Sequence, residues 1–311
     1  MDASTALPPP FSDPHLTAKG EERAAVRFRA LDTLWLNTGT LCNLECRGCY
    51  IESSPRNDRL AYLKRDDAAR MLDEIARDGH PVRLIGITGG EPFMNPQIDG
   101  ILEDCLTAGH AVLILTNAMV PMRHHRDALC RLNAAHPGQL TLRVSLDHYD
   151  PARHEKERGP RSFAPAMEGL RWLSQHGFAI TAAGRTFWDE DESSLRRGYA
   201  RLFAAERIAI DAADPQALVL FPEMDAGADT PEITTACWQI LGKDPGTLMC
   251  AHERMLVRRR GAETATLTAC TLLPYQSEFD LGPTIASAAR LVPLNHPHCS
   301  KFCVLGGGSC G

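Results

Sequence analysis

From residue 31 to about 222 the chain alternates short apolar runs, several rich in β-branched residues, with longer stretches where apolar positions recur every three or four residues. The runs are LDTLWLNTG, VRLIGITGG, AVLILTN, LTLRVSLD, FAITAAGRTF and ALVLF. They predict six strands, because short apolar runs closed by Gly, Asn or Asp suit a buried pleated surface. The stretches between them predict helices near 64–78, 96–108, 121–135, 163–176 and 191–206. In the first of these, Ala68, Met71, Leu72, Ile75 and Ala76 share one face, as a helix packed on a sheet requires.

Strands that alternate with helices make a parallel sheet joined by right-handed crossovers. Six such units predict an α/β fold, a partial (β/α)6 TIM-like barrel, with a doubly wound open sheet as the second choice. After residue 230 the pattern changes. A short helix near 231–241 precedes RMLVRRRGAETATLTAC, which reads as a hairpin around Gly261, and the chain ends in the Cys-rich LNHPHCSKFCVLGGGSCG. The expected organisation is a flexible arm over 1–22, marked by its Pro run, a core over 23–230 and a small Cys-rich C-terminal extension over 231–311.

The chemically unusual residues sit at the C-terminal ends of the predicted strands. Cys42, Cys46 and Cys49 follow the first, Gly89-Gly90-Glu91-Pro92 the second, Thr116-Asn117 the third, Ser145 to Asp147 the fourth, Gly184-Arg185 the fifth and Pro222-Glu223 the sixth. In a parallel barrel these ends converge on one mouth, where sites are built.

A formal net charge of −6 provides no basic footprint for nucleic acid or anionic lipid. No run approaches the roughly 18 apolar residues of a membrane span, and the N-terminus lacks the pattern of a secretory signal. A cytoplasmic enzyme without nucleic-acid or membrane partners is the expectation. Eleven cysteines in such a chain point to metals or catalysis rather than a disulfide framework. Cys105, Cys130 and Cys237 are scattered and read as small buried side chains. The other eight fall into a triplet at 42–49 and a tail group, Cys250, Cys270, Cys299, Cys303 and Cys310.

Closed zinc sites and 4Fe-4S clusters each take four ligands, so a triplet spaced by three and then two residues needs a fourth from elsewhere. The triplet, with TGGEP on the next strand, resembles the radical S-adenosylmethionine (SAM) superfamily over roughly residues 31–222. The resemblance implies a 4Fe-4S cluster on Cys42, Cys46 and Cys49, its fourth iron chelated by SAM. It implies SAM contacts from Gly89, Gly90, Glu91, Asn117, Ser145 and Arg185, with Arg161 an alternative to Arg185. Asp147 would face the substrate, and Glu223 is the second catalytic candidate, with Tyr149, His154 and Asp225 also near the rim. There is one departure: Gly48 precedes the third Cys, where an aromatic residue is usual in the family.

The tail resembles the auxiliary-cluster extensions called SPASM and Twitch. Carried over, it implies one further 4Fe-4S cluster on Cys250, Cys270, Cys299 and Cys303, with Cys310 as the spare, while His296 and His298 keep a Cys/His zinc site in view. The chemistry implied is reductive cleavage of SAM to a 5'-deoxyadenosyl radical and hydrogen abstraction from an unidentified peptide or small molecule. An electron donor such as flavodoxin or ferredoxin would be the partner, with the auxiliary cluster transferring electrons or binding substrate. About 30 residues precede the first strand, fewer than the leader-binding domain of many relatives. The rival readings are a non-catalytic iron-sulfur electron carrier, which would not bind SAM, and a zinc-stabilised binding protein, which would contain no sulfide.

Overall fold

The computed structural model describes residues 8–186, 188–222, 227 and 229–306. All six expected strands form: β1 Thr33–Asn37, β2 Leu84–Thr88, β3 Ala111–Thr116, β4 Leu140–Ser145, β5 Ala179–Arg185 and β6 Leu218–Phe221. They pair in parallel in sequence order. The crossovers carry α1 Arg65–Asp78, α2 Ile98–Thr107, α3 Arg126–Ala135, α4 Pro151–Arg158, α5 Phe163–Gln175 and α6 Glu192–Glu206.

Local chemistry explains the helix ends. The Asp67 carboxylate accepts from the Lys64 backbone N–H and so satisfies a donor at the start of α1. The helix stops at Gly79, whose left-handed φ of 67° lets its N–H return to the Ile75 carbonyl. Its buried face includes Ala68, Met71, Leu72 and Ile75, as the periodicity requires, while Ala76, expected on the same face, is exposed. The stretch expected to be one helix over 121–135 is a turn at Val120–Arg123 followed by α3. The break falls where His125 turns inward to bond the Asp99 carboxylate and the Phe93 carbonyl. Helix α4 was not among the expected elements. Asp150 caps it by accepting from the Arg153 N–H, and Pro151 supplies its first turn.

The sheet continues past the boundary that the sequence suggests near residue 230. The hairpin around Gly261 forms from β7 Glu253–Val257 and β8 Thr266–Thr268. β7 then pairs in parallel with β1, Leu34 opposite Arg254. With β9 Asp280–Gly282 the sheet has, among the described residues, nine strands in the order β9-β8-β7-β1-β2-β3-β4-β5-β6, mostly parallel. β6 and β9 stand at opposite edges, so the sheet is open, a partial rather than a closed barrel. The tail also covers α1: Arg258 makes a two-pronged, largely buried ion pair with Asp67.

The described part of the N-terminal segment is docked, where a flexible arm was expected. The Glu232 carboxylate accepts from the Phe11 and Ala18 N–H groups and pairs with buried Arg23. Ala25–Val26 then pairs antiparallel with Val292–Pro293. Acceptors for this segment lie more than 200 residues away along the chain, beyond the reach of a local sequence pattern. Among the described residues, no helix is long and apolar enough to cross a membrane.

Candidate active site

The C-terminal ends of β1 to β6 converge on one cavity of about 180 Å³. Cys42, Cys46 and Cys49 line one side, Gly89 and Gly90 lie at the end of β2, and Asn117, Ser145, Asp147 and Arg185 come from the next three strand ends. These are most of the site residues expected from the sequence, now on one wall. Glu223, Asp225 and Cys310 lie outside the described residues.

The thiol loop is held from several directions. The Leu44 and Ser53 N–H groups point at the sulfurs of Cys42 and Cys49, at 3.4 and 3.3 Å, contacts that strengthen with a thiolate acceptor. The C-terminal turn of α4 braces the other side. The Glu157 carbonyl accepts from the Arg47 N–H at 3.0 Å, and its carboxylate accepts from the Gly48 N–H. A Cβ on residue 48 would lie 2.5 Å from the Glu157 carboxylate oxygen, so a side chain there would have to displace the Glu157 carboxylate from the Gly48 N–H. From the tail, the Tyr275 hydroxyl donates to the Ile51 carbonyl at 2.6 Å.

Gly89 and Gly90 line the cavity and also lie tightly against the chain that leads to the thiol loop. A Cβ on Gly90 would lie 2.1 Å from the Leu41 carbonyl oxygen, and one on Gly89 2.6 Å from that of Gly39. These glycines let the β2 end run against the chain leading to the thiol loop, where the Gly90 and Glu91 N–H groups bond the Gly39 and Leu41 carbonyls. The close approach is of backbone to backbone, and it fixes the thiol loop against the cavity floor.

Glu91 stands behind the wall rather than on it. Its carboxylate accepts from Thr116 Oγ1 at 2.8 Å, the Asn117 N–H at 2.9 Å and the Phe93 N–H at 3.3 Å. Burial pushes this carboxyl up to about 7, against the lowering effect of those bonds. Its acceptor sites are therefore used within the protein, and Glu91 positions Asn117, whose amide donates to Asn43 beside Cys42.

The electrostatic centre is Arg158, which the sequence reading passed over in favour of Arg161 and Arg185. Arg158 donates to both Asp147 oxygens, at 2.7 and 3.2 Å, and lies within electrostatic reach of Cys46 and Cys42. Arg185 approaches the same carboxylate at 3.6 Å and donates to the Gly48 carbonyl. Burial would raise the Asp147 carboxyl, but the two guanidiniums overcome it and hold it below the usual carboxylate range. Asp147 thus reaches the cavity as half of an ion pair, which makes it a positioning group rather than a proton shuttle. Arg143, buried in β4, also lines the cavity. A charged residue inside the apolar run LTLRVS was the available signal for it. Burial takes His154 down to about 4, and neither ring nitrogen has a hydrogen-bond partner in the protein.

Leu272 and Phe302 from the tail close the cavity's remaining side, Phe302 stacked on Phe221 with ring centroids 6.2 Å apart. Both neighbour the tail cysteines. Cys250, Cys270 and Cys299 lie within electrostatic reach of one another. Burial pushes Cys250 up to about 11 and Cys270 up to about 12, and raises Cys299 well above its ordinary value. Cys303 stands four residues along from Cys299 on the π-helix Cys299–Leu305. Burial likewise raises Cys42 to about 12 and Cys46 above its ordinary value. Among the described residues no three His, Cys, Asp or Glu side chains are gathered around a single-ion position. Cys105 belongs to the hydrophobic core, and Cys130 and Cys237 pack against it.

The family described as the Radical SAM superfamily matches residues 36–192, and the chain belongs to it. It is therefore an enzyme of a class built on a 4Fe-4S cluster and SAM. The chain is 29% identical over 147 residues to the antilisterial bacteriocin subtilosin biosynthesis protein AlbA of Bacillus subtilis, covering 47% of this chain and 31% of AlbA. It is 32% identical over 139 residues to the mycofactocin maturase MftC of Mycobacterium ulcerans, covering 44% of this chain and 35% of MftC. The matched segment thus spans about a third of each curated relative. Among solved structures, Streptococcus suis SuiB bound to S-adenosylmethionine aligns with a TM-score of 0.59 at 14% identity, covering 81% of this chain and 63% of that one. Native anSMEcpe with bound AdoMet gives 0.58 at 11%, covering 82% and 79%. At such identities the likeness is one of fold.

Proposed function

We propose that this enzyme reductively cleaves SAM in the cavity at the β-strand ends and abstracts hydrogen from a peptide or small molecule in the same mouth. The observation that carries this is the convergence of Cys42, Cys46 and Cys49 with Asn117, Ser145 and Arg185 on one cavity. The donor set fits a site-differentiated cluster: three thiols, two already met by backbone N–H groups. When bound, the cluster and SAM supply a 5'-deoxyadenosyl radical by one-electron reduction.

The chain's own part is to bind and orient. Arg185 would neutralise the SAM carboxylate, and Ser145 would meet that carboxylate or the ribose. Asn117 is held towards the thiol loop by Glu91. Three guanidiniums, Arg143, Arg158 and Arg185, against the single carboxylate of Asp147, suit an anionic cluster and a carboxylate-bearing ligand. Leu272, Phe221 and Phe302 supply an apolar side that keeps water from the reacting atoms.

In the tail, Cys250, Cys270, Cys299 and Cys303 hold an auxiliary 4Fe-4S cluster, with Cys310 spare. The named relatives AlbA and MftC favour the maturase reading. SuiB is described bound to a precursor peptide, which favours a peptide substrate here. A flavodoxin or ferredoxin in the cytoplasm supplies the electron.

The test is anaerobic reconstitution followed by SAM and dithionite, with 5'-deoxyadenosine quantified. Product is expected from the wild type and none from the Cys42→Ala, Cys46→Ala, Cys49→Ala triple variant. An iron-loaded wild type that neither binds SAM nor forms product would favour a plain electron carrier.

A further inference from the structure

Arg254 is fully buried in β7, opposite Leu34. Its Nε donates to the Ala288 carbonyl at 3.0 Å, and its Nη1 to the Cys250 and Glu253 carbonyls, each at 2.7 Å. The Phe28 ring lies 4.2 Å from the guanidinium carbon. Nη2 is buried and has no hydrogen-bond partner among the described residues. Among the described residues no carboxylate pairs with Arg254, since the Glu253 carboxylate is turned away to Trp35 Nε1 at 2.6 Å. Its bond to the Cys250 carbonyl sets it beside the tail cysteines; burial works against its charge, and the sulfurs of Cys250 and Cys270 work in its favour.

A buried guanidinium with one orphan nitrogen and no anion is costly, because breaking or omitting a buried pair leaves the charge uncompensated. Proteins retain such a group where an anion is to sit. Here the neighbours are thiols, which become anionic when they ligate a metal. A four-iron cluster on Cys ligands carries net negative charge, and that charge grows when the cluster is reduced.

We infer that Arg254 is the fixed counter-charge of the tail centre, its Nη2 facing the thiolate ligands, and that it raises that centre's reduction potential by stabilising the reduced, more negative form. This rests on the auxiliary-cluster reading. It assigns Arg254 a positioning and tuning role, with no contact to substrate. The same cation would also favour retention of the cluster, because it offsets the charge repulsion of buried thiolates.

The experiment compares wild type, Arg254→Lys and Arg254→Met as the full chain, reconstituted anaerobically. Iron and sulfide are counted, and the tail centre is titrated by EPR in a redox series with Cys42, Cys46 and Cys49 intact. Arg254→Met is expected to lower the midpoint by a tenfold change in the reduction equilibrium or more, about 59 mV for one electron. Arg254→Lys, which keeps the charge, is expected to stay within half of that. Loss of the tail centre from Arg254→Met but not from Arg254→Lys, with circular dichroism unchanged, supports the same role through retention.

A loaded Arg254→Met variant with the wild-type midpoint overturns the inference. So does loss of the centre from both variants, since charge would then not be what matters. A wild type with roughly four irons, or with zinc and no further sulfide, overturns the auxiliary-cluster reading itself, a result distinct from the other two.

Discussion

Glu91 shows how the surroundings of a single residue add to what its sequence context implies. The GGE sequence marks it as part of the SAM site, yet its carboxylate bonds to Thr116, Asn117 and Phe93. Its carboxyl, pushed up to about 7 by burial, binds its proton more tightly in the folded chain than at its ordinary 4.5. Stability therefore falls as pH rises from about 4.5 and levels off above about 7, by on the order of 3 kcal/mol. Glu253, raised to about 7 by burial, acts with the same sign. Denaturant unfolding of metal-free protein at pH 5 and pH 8 is expected to show this loss, with a smaller one in Glu91→Gln. An equal loss in both would remove Glu91 from the account. Arg158 is the complementary case: nothing in HEKERGPR distinguishes it from Lys156 or Arg161 until α4 forms and aims it at Asp147.

At the scale of elements, the period of apolar positions was sufficient for all six parallel strands, because a strand buried on both faces leaves a dense apolar run. It missed α4, whose residues PARHEKER are largely polar and whose helix is announced only by Asp150 and Pro151. That helix is what holds the thiol loop, through Glu157 and Arg158. The hairpin around Gly261 was legible from its turn, but its parallel docking beside β1 was not, since β1 and β7 are more than 200 residues apart. The Arg258–Asp67 pair ties this hairpin to the start of α1. Removing one partner of a largely buried pair leaves the other uncompensated, so Arg258→Met is expected to cost about 3 kcal/mol. A melting temperature within a degree of wild type would show that the pair contributes nothing.

For the whole molecule, core and tail form one sheet and one cavity wall. Cys270 and Leu272 lie two residues apart, and Cys299 and Phe302 share a π-helix, so the segments that carry the tail thiols also shape the cavity. A chain ended at residue 230 would expose the β1 edge and deprive the buried Trp35 indole of Glu253. It is expected to lack a cooperative thermal transition. A soluble 1–230 fragment that melts cooperatively and loads a cluster would show that the tail is an appendix after all.

The sequence by itself determined the order of the six parallel strands and of most helices between them, the thiol triplet with its family, and the rim on which chemistry would gather. Those depend on local periodicity, on turn residues and on spacings of a few positions, which operate over one element and its neighbours. Only the tertiary structure decided that Gly89 and Gly90 lie against the Gly39 and Leu41 carbonyls, that Asp147 pairs with Arg158, that the N-terminal segment is anchored by Glu232, and that Arg254 is buried beside the tail residue Cys250 without a carboxylate partner among the described residues. Each of those is a contact between groups far apart along the chain. Steric exclusion and the cost of burying charge act on what is near in space, and the linear pattern does not record it.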